Sequence, residues 1–140
     1  MKKIIIDTNF LMIPYKFRVD IFLEFRRICN FNYNLFAYDK SIDELNSIIE
    51  KQSGNNKRAA KFALKLIEIK KIGIIKSENK DAGAYVDSLM LGNFGENTVI
   101  ATQDMELKRR LLEKGISVII LRQKKYLEIT EKSGSIQKIG

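Results

Sequence analysis

With 140 residues the chain fits one domain, since a single core grows to about 100–200 residues before splitting. Its 45% hydrophobic and 30% charged residues suit a packed globule rather than a disordered chain. No histidine and one cysteine, Cys29, exclude an internal disulfide, the usual zinc sites and imidazole acid/base chemistry, so any metal must be held by oxygen.

The 25 Lys+Arg against 17 Asp+Glu give a formal charge of +8. That field draws polyanions and makes nucleic acid the expected partner. A lysine-rich and isoleucine-rich proteome would give the same sign. No apolar run approaches the roughly 20 residues of a membrane span, and the start lacks a cleavage-type site of small residues. A cytoplasmic location without a membrane partner is expected.

In chain order, Ile4 to Ile6 is a strand-length apolar run that stops at Asp7-Thr8-Asn9. Pro14 predicts a bend, and Ile21, Phe22, Phe25 and Ile28 then fall at helical spacing. Leu35 to Tyr38 reads as the second strand, followed by a helix from near Ile42. Ser53-Gly54-Asn55-Asn56 separates that helix from a long amphipathic one carrying Ala59, Phe62, Ala63, Leu66 and Ile67, predicted to close at Gly73.

Ile72 to Ile75 is the third strand, a helix carrying Asp87 follows, and Thr98 to Thr102 and Val118 to Leu121 are the fourth and fifth. The alternation predicts an α/β fold: a mainly parallel sheet of about five strands with helices on both faces. The domain is expected to span residues 1–130, leaving 131–140 as a polar tail.

In open α/β sheets ligands bind beyond the carboxyl ends of the strands. Asp7 ends the first strand, Glu44 comes early in the helix after the second, Asp87 lies before the fourth strand, and Asp104 follows it. Four acids converging there would repel one another, and Mg²⁺ or Mn²⁺, which prefer carboxylate and water oxygens, would neutralise them.

Each acid also has a structural reading. Asp7 fits a turn cap, Glu44 completes a capping box with Ser41, Asp104 fits an N-cap, and Asp87 fits a solvated face. Asp81 reads as the N-cap of the Asp87 helix.

Taken together, IIIDTNFLMIP, the SIDEL helix start, AYVDSLM and VIATQDMELKRRLLEKGISVIILRQKKYL resemble a PIN-domain ribonuclease over residues 3–127. The DTNFLMIP opening and RQKKYL ending are similar to the branch that holds archaeal VapC-like proteins and pre-ribosomal-RNA endonucleases of the small-subunit processome. The resemblance implies a PIN-like three-layer fold and Mg²⁺- or Mn²⁺-dependent hydrolysis of single-stranded RNA to 5′-phosphate and 3′-hydroxyl ends. Asp7, Glu44, Asp87 and Asp104 would be the catalytic, metal-binding quartet, supported by hydrogen bonds from Asn9 and Thr102.

A homodimer, and an antitoxin or ribosome-assembly partner, are further implied. The chain departs from the family pattern at Gln103, where Asn is frequent, and at Val86 and Ser88, where relatives often add an aspartate. In the implied mechanism one ion rests on Asp7 and Asp104, and a second on Glu44 and Asp87.

Because the acids repel phosphate, RNA affinity must come from cations. Arg18, Lys57, Arg58, Arg109, Arg122, Lys124 and Lys125 are the leading candidates, with Arg26, Arg27, Lys108 and Arg110 behind them. Tyr15 and Tyr126 suit base stacking or packing, and the neighbouring Leu127 and Ile129 favour packing for Tyr126. The rival function is a catalytically weak RNA-binding or assembly module of the same fold.

Overall fold

The structure, a computed structural model, describes residues 1–77 and 97–131. Asp81 and Asp87, with the helix expected around them, and residues 132–140 lie outside the described residues.

The chain opens with β1 (Lys2–Ile6), then α1 (Thr8–Leu11), α2 (Ile13–Phe17) and α3 (Ile21–Ile28). β2 (Tyr33–Tyr38) leads into α4 (Asp39–Lys51) and α5 (Asn55–Ile69). β3 (Gly73–Ile75), β4 (Thr98–Ala101), α6 (Met105–Glu113), β5 (Ser117–Arg122) and β6 (Tyr126–Thr130) complete the described elements. One sheet runs β3-β2-β1-β4-β5-β6. Its pairs are parallel except β5 with β6, which is antiparallel.

The sheet is buried on both faces, which is why its central strands read as unbroken apolar runs. Ile4, Ile6, Val99, Ala101, Ile119 and Leu121 pack with Phe10, Phe25, Leu45, Ala59 and Ala63 from the α1–α5 side. Ile5, Ile100, Val118 and Ile120 pack with Leu107 and Leu111 of α6 on the other face. Each fully buried isoleucine contributes about 1.5–3 kcal/mol. This clamps β1 and β4 side by side, with β2 and β5 flanking them. The order reverses at β1, and the carboxyl end of that strand, where Asp7 stands, is the place at which such sheets bind ligands.

Several elements differ from the sequence reading. The sheet has six strands because Tyr126–Thr130 returns antiparallel along β5. Its turn puts Gln123 and Lys124 at φ 52° and 55°, a conformation normally signalled by Asn or Gly. Pro14 lies in the first turn of α2 rather than marking only a bend, since a missing N–H costs nothing there.

Helix α5 ends at Ile69 and Lys71 takes the left-handed turn at φ 53°. Gly73 does not close that helix but opens β3 under the Phe36 ring, where an added Cβ would meet Phe36 Cδ1 at 2.7 Å. Helix α4 starts at Asp39, so Ser41 lies inside it, fully buried. The capping box therefore does not form.

The outer edge of β6 is covered by α3. Leu127 donates its N–H to Glu24 Oε1 at 2.8 Å, and Arg27 donates to the Leu127 carbonyl at 2.8 Å. Arg27 and these bonds hold the Glu24 carboxyl below its ordinary range. Such a fork satisfies backbone groups that an open edge would offer to another chain.

Candidate active site

Asp7 extends β1 by donating its N–H to the Ala101 carbonyl, at 2.9 Å, and then becomes the N-cap of α1. Its Oδ1 accepts from the Thr8 N–H at 2.7 Å, and its Oδ2 from the Thr102 hydroxyl at 2.8 Å. Thr102 follows β4 and is fully buried. The Thr102 N–H is anchored on the Ile119 carbonyl at 3.1 Å, and its oxygen accepts the Asp104 N–H at 3.1 Å. One threonine thus fixes the Asp7 carboxylate and the backbone of Asp104.

Asp104 Oδ1 caps α6, accepting from the Glu106 and Leu107 N–H groups at 3.0 Å each. The capping role read from the sequence is real. It leaves Oδ2, on an exposed residue, without a hydrogen bond among the described residues.

Glu44 projects from the second turn of α4 and accepts a short hydrogen bond from the Thr8 hydroxyl. The hydroxyl oxygens of Thr8 and Ser41 lie 2.9 Å apart. Asp7 and Glu44, 37 positions apart in sequence, are therefore both tied to Thr8.

Of the quartet expected from sequence, Asp7, Glu44 and Asp104 share this network, and Asp87 falls outside the described residues. Among the described residues no three carboxylate or thiol groups come close enough to cage an ion unaided. The donors nonetheless suit a hard cation, because they are all oxygens and Mg²⁺ typically keeps several waters beside one or two carboxylates.

Thr102 supports Asp7 as expected, but Asn9 does not: its side chain is exposed, with no hydrogen bond to Asp7 among the described residues. The chain enters α1 at Thr8, which directs Asn9 outward. Thr8 and Ser41 are the functional candidates that sequence reasoning missed. Ser41 sits at i−3 from Glu44 and i−4 from the buried Leu45, a polar residue on an inward helix face, and that was the available signal.

Tyr38, at the end of β2, is buried, which pushes its hydroxyl pKa up to about 12. Asp39 beside it accepts from the Lys40 and Ser77 N–H groups at 2.8 and 3.1 Å, tying the start of α4 to the chain after β3.

The expected RNA contacts separate into groups. Arg122, Lys124 and Lys125 surround the β5–β6 turn, at the carboxyl end of β5 and thus on the sheet edge that carries Asp7 and Asp104. The Lys124 ammonium stands 5.8 Å from the Phe17 ring centre, and Arg122 pairs loosely with Glu128 at 3.6 Å.

Arg109, by contrast, is held between Glu106 and Glu113 at 2.6 and 2.5 Å. Arg58 donates to the Tyr15 hydroxyl at 3.1 Å, Lys57 is half-buried, and Arg18 rims a cavity of about 430 Å³ with Phe22, Phe62 and Lys70. Tyr15 packs on Phe62, with ring centres 5.7 Å apart. Tyr126 departs from the expected packing: it is 36% exposed, while Leu127 next to it fills the core position. Alternation along β6 can bury only one of the two.

A mainly parallel sheet with acids at and just beyond the carboxyl ends of β1 and β4, and a third from the helix after β2, is the architecture of a PIN domain. The chain belongs to the PIN like domain family, whose profile matches residues 4–124. It is 31% identical over 131 residues to Ribonuclease VapC4 of Methanocaldococcus jannaschii, covering 92% of this chain and 97% of that one. It is 30% identical over 122 residues to Ribonuclease VapC9 of Archaeoglobus fulgidus, covering 86% and 84% respectively. The solved structure of the PIN domain endonuclease Utp24 shares the fold with a TM-score of 0.73, at 19% identity, over 91% of this chain and 90% of that one.

Proposed function

We propose that this protein is an endoribonuclease that hydrolyses single-stranded RNA with Mg²⁺ or Mn²⁺. The observation that carries the reading is the pair of threonine links, through which Thr8 joins Asp7 to Glu44 and Thr102 joins Asp7 to Asp104 at the sheet's carboxyl edge. Two archaeal relatives named as ribonucleases, each about 30% identical over most of both chains, support it.

Asp7 and Asp104 are the first candidates to hold the ion, joined by Glu44 and, from the sequence pattern, Asp87. When bound, the ion would neutralise the phosphate and lower the pKa of an attacking water. The protein's own residues supply the frame. Thr102 fixes the rotamer of Asp7, the α6 cap fixes Asp104 and leaves its second oxygen available, and the cations around the β5–β6 turn offset the acids' repulsion of the RNA strand. A dimer, and a toxin-like or ribosome-assembly setting with its protein partner, extend the same reading.

The test incubates the protein and its Asp7→Asn, Asp104→Asn double variant with end-labelled single-stranded RNA in EDTA, Mg²⁺ or Mn²⁺, and maps the product ends. Metal-dependent cuts with 5′-phosphates, lost in the double variant, are expected. RNA that is bound but stays intact under every metal condition would refute the nuclease and favour an assembly module.

A further inference from the structure

We propose that Ser41 and Thr8 form a buried hydroxyl relay that positions Glu44 against Asp7, making Thr8 a positioning residue for RNA hydrolysis. This rests on the nuclease reading above and assigns a role to two residues that carry no charge.

The geometry is specific. Thr8 is 5% exposed and Ser41 fully buried, so neither hydroxyl can turn to bulk water for a partner. The Thr8 oxygen lies within hydrogen-bond distance of both Ser41 Oγ, at 2.9 Å, and Glu44 Oε1. A threonine hydroxyl has one proton to give and two lone pairs to receive with. As a metal ligand Glu44 must be ionised and then only accepts, so in the metal-binding form the single Thr8 proton goes to Glu44 and Ser41 turns its own proton to Thr8.

Ser41 thereby removes the rotamer in which Thr8 would point its proton elsewhere. The Thr8 N–H is meanwhile committed to Asp7 Oδ1 at 2.7 Å. A single residue locked into α1 thus donates to both carboxylates, one from its backbone and one from its side chain, and sets their separation.

A serine inside an amphipathic helix facing the core is costly unless its hydroxyl is paired. Here its hydroxyl partner is Thr8, on a different helix, so the burial of Ser41 serves Glu44 indirectly. Charge-assisted hydrogen bonds are about twice as strong as neutral ones, which places the binding consequence at the Thr8 to Glu44 step.

The experiment titrates Mn²⁺ by calorimetry, without RNA, into the wild type and the Thr8→Val, Thr8→Ser, Ser41→Ala and Glu44→Gln variants, with melting curves for each. Mn²⁺-dependent cleavage follows on the same proteins. Thr8→Val keeps the shape and loses the hydroxyl; its Mn²⁺ dissociation constant is expected to rise about 10–100-fold, the usual cost of losing a group that orients a ligand. Thr8→Ser should restore most of that loss, and Ser41→Ala should show a smaller loss in the same direction. Combining Thr8→Val with Glu44→Gln should add nothing to Glu44→Gln alone.

The relay is overturned if Thr8→Val binds Mn²⁺ like the wild type, if Thr8→Ser is as impaired as Thr8→Val, or if the two losses add. Should Thr8→Val not fold, Ser41→Ala decides: unchanged Mn²⁺ affinity overturns the relay. Wild-type protein that neither binds Mn²⁺ nor cuts RNA refutes the nuclease reading itself, and the relay falls with it.

Discussion

Asp104 caps a helix and, in the nuclease proposed above, would also hold the ion, two roles that substitution can separate. Its Oδ1 accepts the Glu106 and Leu107 N–H groups, while Oδ2 has no hydrogen bond among the described residues. Asn caps a helix about as well as Asp, whereas Ala forfeits about 0.5–2 kcal/mol. Losing the negative charge at the helix N-terminus costs a further 0.3–1 kcal/mol, roughly, in both variants.

Asp104→Asn should therefore lose no more than about 1 kcal/mol and Asp104→Ala about 1–3 kcal/mol. In a domain of this size each kcal/mol is worth about 2–5 °C in Tm. Urea unfolding measures the stabilities, and Mn²⁺-dependent cleavage of end-labelled RNA measures the other role. Both variants should lose cleavage alike, by at least the roughly 10–100-fold cost of disturbing a ligand's support. Equal stability of the two would refute the cap as a stabilising contact. Wild-type cleavage by Asp104→Asn would refute its part in the metal site.

Removing the Thr102 hydroxyl with Thr102→Val withdraws the donor to Asp7 and the acceptor for the Asp104 N–H, and should destabilise by about 1–3 kcal/mol in urea; a neutral result would show that neither bond matters. Lys124→Ala with Lys125→Ala should flatten the salt dependence of RNA affinity by about 1.4 in log–log slope, at about 0.7 per lost phosphate contact, and an unchanged slope would remove the β5–β6 turn from the interface.

Gly73→Ala would bring a methyl group to 2.7 Å from Phe36 Cδ1. It should cost about 1–3 kcal/mol, and Phe36→Leu in the same chain should recover part of that; additive losses would contradict the clash. Burial pushes the Cys29 thiol up to about 11. Because the thiolate is the reactive form, iodoacetamide should label native Cys29 slowly at pH 8 and faster as pH rises toward that value, and rapid labelling at pH 8 would show the thiol to be more open than the structure has it.

Much of this architecture was written locally. The isoleucines of β1, the apolar run of β4 and the spacing of Ile21, Phe25 and Ile28 each gave a correct element, because burial on both sheet faces or on one helix face leaves its period in the chain. Asp7 was legible because a carboxylate immediately after a buried strand is a local anomaly, and Asp104, three residues beyond β4, was legible as a helix N-cap.

What the sequence could not show depends on contacts between distant residues. Gln123 and Lys124 carry no turn signal, yet β6 forms because Leu121, Leu127 and the Glu24–Arg27 fork hold it in register. Ser41 read as a helix cap and proved to be buried, because α4 begins three residues before Ile42 and turns Ser41 toward Thr8. Asn9 and Thr102 both read as supports of the acids, but of the two only Thr102, 95 positions away, bonds the Asp7 carboxylate among the described residues. Local patterning thus determined which acids stand at the sheet edge. Only the tertiary structure brought in Thr8 and Ser41, because a hydrogen bond to a fixed rotamer depends on where two elements meet and leaves no period in either one.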